Sequence, residues 1–164
     1  MARKTTKAPS ATKPEVQADL STGYQDIPWA TFKDPVSEVF RSALRHFVWT
    51  PDQKTRGMPE HWGIPALENG KIRDDCDGFA LYCYDRLTTA IPDLRKSAYP
   101  CVCRCETGEG HCILLIHTDD GIRVLDNRVD AVWTLGQIKA RGYHDFYRPV
   151  YGQPIDAEWE MPVL

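Results

Sequence analysis

Two apolar runs, residues 111–118 and 122–126, flank the triplet Asp119-Asp120-Gly121. So short a connection leaves the runs little choice but to lie side by side as an antiparallel hairpin. A third run at 98–105 precedes them, and a short helix near 134–141 and a last strand near 145–151 follow. The second half of the chain therefore reads as a sheet. Within it, His111 opens one hairpin strand and Asp126 closes the other, and antiparallel pairing brings those two ends together.

The first half reads as helical. Asp34 is placed to cap a helix with Pro35 at its first position, after which Val36, Val39, Phe40, Ala43, Leu44, Phe47 and Val48 recur along one face until Pro51 stops the run. Residues 51–73 carry the breakers Pro59, Gly63, Pro65 and Gly70 and read as irregular, with Trp62 and Leu67 as packing anchors. A second helix follows from Cys76 to about Ala90. Phe79, Ala80, Tyr82, Cys83, Arg86 and Leu87 fall at helical spacing, Asp74 or Asp75 is its expected cap, and Ile91-Pro92-Asp93 ends it. Helices first and an antiparallel sheet after is an α+β pattern.

Three parts are expected: a flexible basic arm over 1–22 carrying Arg3, Lys4, Lys7 and Lys13, one domain over 23–151, and a proline-containing tail over 152–164 without regular structure. The arm suits either a solvated tail or a segment that orders on a partner in a multi-protein assembly. A formal charge of −3 predicts no specific nucleic-acid site. No apolar run approaches the ~20 residues of a membrane span. Met1-Ala2-Arg3-Lys4 is followed by no hydrophobic stretch, so no secretory signal is expected and the location reads as cytoplasmic or packaged in a virion-like particle.

Cys76 sits in Arg73-Asp74-Asp75-Cys76-Asp77-Gly78-Phe79-Ala80 at the head of the second helix. A thiol is a strong nucleophile as thiolate, and it needs an imidazole to hold or move its proton and a third group to orient that imidazole. Cys76, His111 and Asp126 supply the set, and the helix dipole favours an anion at its N-terminus. The three neighbouring carboxylates work the other way. A protonated His111 or a bound cation would offset them. The other cysteines, Cys83, Cys101, Cys103, Cys105 and Cys112, read as reduced, partly buried thiols. A disulfide, or a metal or redox module, is the alternative for a set that lacks the CxxC spacing of zinc knuckles.

On these residues the sequence resembles the transglutaminase-like papain superfamily, and within it the bacterial transglutaminase-like cysteine peptidases. The matching segments are Trp62, Pro65 and Glu68, then Asp75-Cys76-Asp77-Gly78-Phe79-Ala80, then His111, then Leu125-Asp126-Asn127. The resemblance spans about residues 60–150. It implies a papain/transglutaminase-like α+β fold with the nucleophile helix packed on an antiparallel sheet. It also implies Cys76 as nucleophile, His111 as general base and acid, Asp126 as orienting carboxylate, and a protein or peptide substrate. Members that cleave adhesins bind Ca²⁺ through acids flanking the nucleophile, here Asp75 and Asp77; the other reading is that Asp74 and Asp75 cap a helix and Asp77 is a solvated first-turn acid. The chain departs from the family pattern at two positions, with Gly78 where an acid is usual and Asp74 where a glycine is frequent.

Two functional classes follow. One is a thiol hydrolase that cleaves amide bonds through an acyl-enzyme, a chemistry that becomes transamidation when an amine takes the place of water. The other is a structural or assembly protein, for example of a phage virion, that keeps the peptidase fold. An enzyme predicts an open cleft at Cys76, whereas a scaffold allows that site to be covered.

Overall fold

The structure, a computed structural model, describes residues 23–51, 62–155, 157–162 and 164. The basic arm expected over 1–22, together with Pro59 and His61, lies outside the described residues. Helix α1 spans Trp29–His46, beginning six residues before the first helical position that Asp34-Pro35 predicts. Pro35 therefore sits inside the helix, where it cannot donate to the carbonyl four residues back. Tertiary contacts override the local signal. The Trp29 amide N–H donates to the Asp119 carboxylate at 2.9 Å, so the hairpin turn caps the helix from 90 residues away, and Trp29 itself is buried beneath the Arg123 guanidinium.

The helix also ends earlier than expected. Phe47 and Val48, read above as part of its apolar face, belong to strand β1 (Phe47–Trp49). β1 pairs in parallel with β3 (Lys71–Asp74), and β3 pairs antiparallel with β2 (Leu67–Glu68). The stretch expected to be irregular thus supplies β2 and most of β3 to a small sheet of order β1-β3-β2. Asn69 and Gly70, with φ of 50° and 70°, make the two-residue turn between β2 and β3, the backbone that Asn-Gly adopts readily. Leu67 is no anchor: it is 42% exposed, while Pro65 is buried and Trp62 half-buried against Trp159, ring centroids 5.3 Å apart.

Strand β3 runs through Asp75 into helix α2 (Cys76–Ala90). A 3₁₀ turn at Pro92–Lys96 leads to β4 (Ala98–Arg104), β5 (Gly110–Thr118), β6 (Gly121–Leu125), β7 (Trp133–Thr134), helix α3 (Leu135–Ala140) and β8 (His144–Pro149). The expected tail is partly ordered as β9 (Trp159–Glu160), because Trp159 buries its indole, its Nε1–H donates to the Ile155 carbonyl and Arg148 pairs with Glu160. The six-stranded sheet has the order β7-β6-β5-β4-β8-β9 with every pairing antiparallel. The α+β reading holds.

Alternation divides the sheet into two faces. Ala98, Val102, Cys112, Leu114, Ile116 and Leu125 pack in one core with Phe40 of α1 and Phe79 of α2. Tyr99, Cys101, Cys103, Cys105, Ile113 and Leu115 form a second core closed by Leu135, Ile138, Tyr143 and Phe146. Cys101, Cys103 and Cys105 share a face, as their spacing requires. The α2 helix is thereby clamped along the sheet, and its N-terminus is held at the end of β5 where His111 lies.

Candidate active site

Cys76 is the first residue of α2, and Asp75 before it takes the N-cap position with extended backbone. The capping expectation is met by position but not by bonding, since Asp75 makes no side-chain capping hydrogen bond. Asp74 acts on the turn instead, accepting the Asp75 amide N–H at 2.9 Å. Asp74, Asp75 and Asp77 are all buried, which corrects the view of Asp77 as solvated.

Gly78 packs directly against the Asp74 side chain. A Cβ at position 78 would stand 2.2 Å from Cγ and 2.6 Å from Oδ1 of Asp74. The Asp74 carboxyl thus fills the space that a residue-78 side chain would need. An acid at 74 and a side chain at 78 therefore cannot both occupy this turn as it stands.

His111 is the second residue of β5 and pairs with Cys103, while Asp126 directly follows β6, whose Leu125 pairs with Leu114. This register sets His111 Nε2 2.7 Å from Asp126 Oδ1. Nδ1 is buried and has no hydrogen-bond partner among the described residues, while the Cys76 side chain is near enough to act on the charge of the ring. Burial works against charge on this imidazole, but the Asp126 hydrogen bond, the Cys76 side chain and both their charges outweigh it and raise the pKa to about 10. The ring therefore keeps its proton through neutral pH. Asp126 is shifted the other way: burial opposes its ionisation, but His111, the Arg128 amide and the Tyr143 hydroxyl hold it below the ordinary carboxylate value.

The three residues singled out as catalytic candidates are brought together. Sequence reasoning missed the support around Asp126. The Arg128 N–H donates to Oδ1 at 2.9 Å and the Tyr143 hydroxyl to Oδ2 at 2.7 Å. Arg128 lies two residues past Asp126 and could have been noticed; Tyr143 carries no local signal.

Asp75, Cys76 and Asp77 place ligand atoms within 4.8 Å of one another, the one such grouping of His, Cys, Asp and Glu among the described residues. Two carboxylates offer the oxygen donors that Ca²⁺ prefers. None of the six cysteines is in a disulfide, and all are buried. Burial pushes the Cys83 and Cys101 thiols far up, and burial and neighbouring anions do the same to Cys103, so these sulfurs stay protonated. His46, His117 and His144 hydrogen-bond to the Gly70 carbonyl, the Tyr99 hydroxyl and the Gly142 carbonyl respectively, as satisfied histidines do.

Cys76 is only 2% exposed, so the open cleft expected of an enzyme is not seen there. A cavity of about 780 Å³ lies toward the other end of β4, bounded by Tyr24, Trp62, Tyr84, Tyr99 and Tyr151, and none of Cys76, His111 and Asp126 lines it.

Comparison with known proteins agrees with this architecture. The family of bacterial transglutaminase-like cysteine proteinases matches residues 21–144, well over half of the chain. Calcium-bound LapG of Legionella pneumophila superposes with a TM-score of 0.51 at 18% identity, covering 73% of this chain and 71% of that one. EGTA-treated LapG gives 0.52 at 17% identity, covering 79% and 71%. No curated protein matches. At such identities the two structures establish a shared fold, and the family match establishes kinship: the chain belongs to the bacterial transglutaminase-like cysteine proteinases.

Proposed function

We propose that the chain cleaves amide bonds in a protein or peptide through a Cys76-His111-Asp126 triad. The observation that carries this reading is the buried 2.7 Å bond between His111 Nε2 and Asp126 Oδ1, which leaves Nδ1 toward the thiol. Cys76 as thiolate attacks the substrate carbonyl and forms a C–S bond. As the C–N bond breaks, the proton on His111 Nδ1 passes to the leaving amine. The thioester is then attacked by water, whose proton returns to Nδ1, and the C–S bond breaks to release the acid and regenerate the Cys76 thiolate beside the imidazolium. Asp126 fixes the ring's tautomer and stabilises the imidazolium. The Cys76 amide, the first of α2, is the candidate oxyanion donor. An amine in place of water would give transamidation by the same steps.

Ca²⁺ fits the acidic turn. Asp75 and Asp77 would hold it, and a bound cation would offset carboxylate charge beside the nucleophile and stiffen the turn. LapG is known in calcium-bound and EGTA-treated forms, which supports the reading by kinship. Binding at 100 times Kd raises stability by about 2.7 kcal/mol. Calorimetric melting of wild type and of Asp75→Asn/Asp77→Asn, with Ca²⁺ and with EGTA, should show a Ca²⁺-dependent rise in the first alone; no rise in wild type removes calcium from the account.

The burial of Cys76 favours a second reading, in which the fold serves assembly and the site is covered. The two separate by mapping new peptide ends by mass spectrometry after incubating a protein substrate pool with wild type and with Cys76→Ala. Hydrolysis predicts new ends with wild type only, and none in either case would favour assembly.

A further inference from the structure

The carboxylate beside His111 is gripped from both sides, and the second grip is a tyrosine that the amide-cleaving chemistry does not itself use. Tyr143 lies between α3 and β8, is 3% exposed and meets the His111 ring edge-on at 5.9 Å. Its hydroxyl donates to Asp126 Oδ2 at 2.7 Å and accepts from Arg128 Nη1 at 2.9 Å. Arg128 in turn grips Glu106, in the β4–β5 turn, with both Nη atoms, at 2.8 and 2.6 Å. The result is a continuous chain, Glu106–Arg128–Tyr143–Asp126–His111, drawn from three separate loops and one strand.

We propose that Tyr143 is a positioning residue of the site: its hydroxyl occupies Asp126 Oδ2 and so leaves Oδ1 to face His111, while the Glu106–Arg128 pair holds that hydroxyl in place. The proposal rests on Asp126 being the partner of His111. A carboxylate can turn about its Cβ–Cγ bond, and a bond on one oxygen alone would leave the other in a dry pocket without a donor. Tyr143 removes that freedom. Burial and then the Asp126 charge both oppose ionisation of its phenol, which keeps the hydroxyl suited to donate to Asp126. Arg128 polarises the same hydroxyl and strengthens the donation.

The charged and titratable groups facing Asp126 are His111 from β5, Cys103 from β4, Arg128 from the segment after β6 and Tyr143 from before β8. Of these, His111, Arg128 and Tyr143 favour the carboxylate anion. Losing a donor weakens that preference, so the proton affinity of Asp126 must rise when the Tyr143 hydroxyl is removed. A side chain that merely fills space would leave it unchanged.

The test is a carbon-13 NMR titration of the Asp126 carboxyl carbon in the full-length chain, in wild type, Tyr143→Phe and Arg128→Met. Phenylalanine keeps the ring that packs in the core, and Arg128→Met leaves both the ring and the hydroxyl. Tyr143→Phe should raise the Asp126 midpoint by about one pH unit, a tenfold gain in proton affinity. Arg128→Met should raise it less. The proposal is overturned if Tyr143→Phe unfolds cooperatively like wild type yet leaves the Asp126 midpoint in place. Its failure is distinct from failure of the triad: fast, His111-dependent alkylation of Cys76 with an unmoved midpoint would sink Tyr143 and spare the triad. Slow alkylation with a raised midpoint would do the reverse.

Discussion

The two walls of the site, one carrying the base and one the nucleophile, are built on opposite terms. At the base wall one buried carboxylate, Asp126, receives donors from His111, Arg128 and Tyr143, so its charge is matched within the fold. At the nucleophile wall three buried carboxylates, Asp74, Asp75 and Asp77, crowd a single turn around Cys76. Like charges that close in a poorly solvated site raise each other's energy. In our reading the His111 imidazolium and a bound Ca²⁺ would both bring positive charge to that turn. One wall gathers donors on a single carboxylate; the other gathers carboxylates beside a single thiol.

The largest expected effect comes from breaking the matched wall. Asp126→Ala leaves a buried imidazole and the Arg128 and Tyr143 donors without their acceptor, and should cost about 3–5 kcal/mol in urea unfolding. A cost near zero would show that the wall is not self-sufficient. At the crowded wall, Gly78→Ala should cost about 1–3 kcal/mol, because its Cβ collides with Asp74. Adding Asp74→Gly should recover most of that loss, and a strictly additive double-mutant cycle would refute the steric coupling of positions 74 and 78.

Within the base wall the two titrating partners answer pH in opposite directions. His111 has a raised pKa, so the stability it contributes is fully present below its unfolded value of about 6.5 and is lost as pH climbs toward about 10. Asp126, with its lowered value, contributes above the unfolded carboxylate value of about 3.9 and loses that contribution as acid protonates it. Wild type should therefore weaken across the alkaline window, and His111→Ala should flatten that decline. The smallest effect is expected away from both walls: Leu67→Ser, on an exposed edge, should stay within about 0.5 kcal/mol of wild type.

The base wall was the more legible in sequence. Alternating apolar residues and the Asp119-Asp120-Gly121 turn set the register of β5 and β6, and register alone carries His111 to Asp126. The order Cys76, His111, Asp126 and the helix from Cys76 to Ala90 could be read for the same reason: each is specified by neighbours along the chain. What could not be read depends on distant contacts. Asp34-Pro35 is a sound local start signal, yet Asp119 and the buried Trp29 begin α1 earlier. The parallel pairing of β1 with β3 joins segments more than twenty residues apart and leaves no local trace. Asn69-Gly70 was a legible hairpin turn that the surrounding prolines and glycines obscured. Tyr143 reaches Asp126 across seventeen residues, which no spacing rule anticipates.

The central claim, that the two walls form one activated Cys–His pair, is tested most directly by site-resolved iodoacetamide labelling of Cys76 near neutral pH in wild type and His111→Ala. Cys76 in wild type should label fast, far ahead of Cys83 and Cys101, which are buried as it is, and its rate should fall about 100-fold or more when His111 is removed. Labelling of Cys76 that is slow in wild type and unchanged in His111→Ala would contradict that claim.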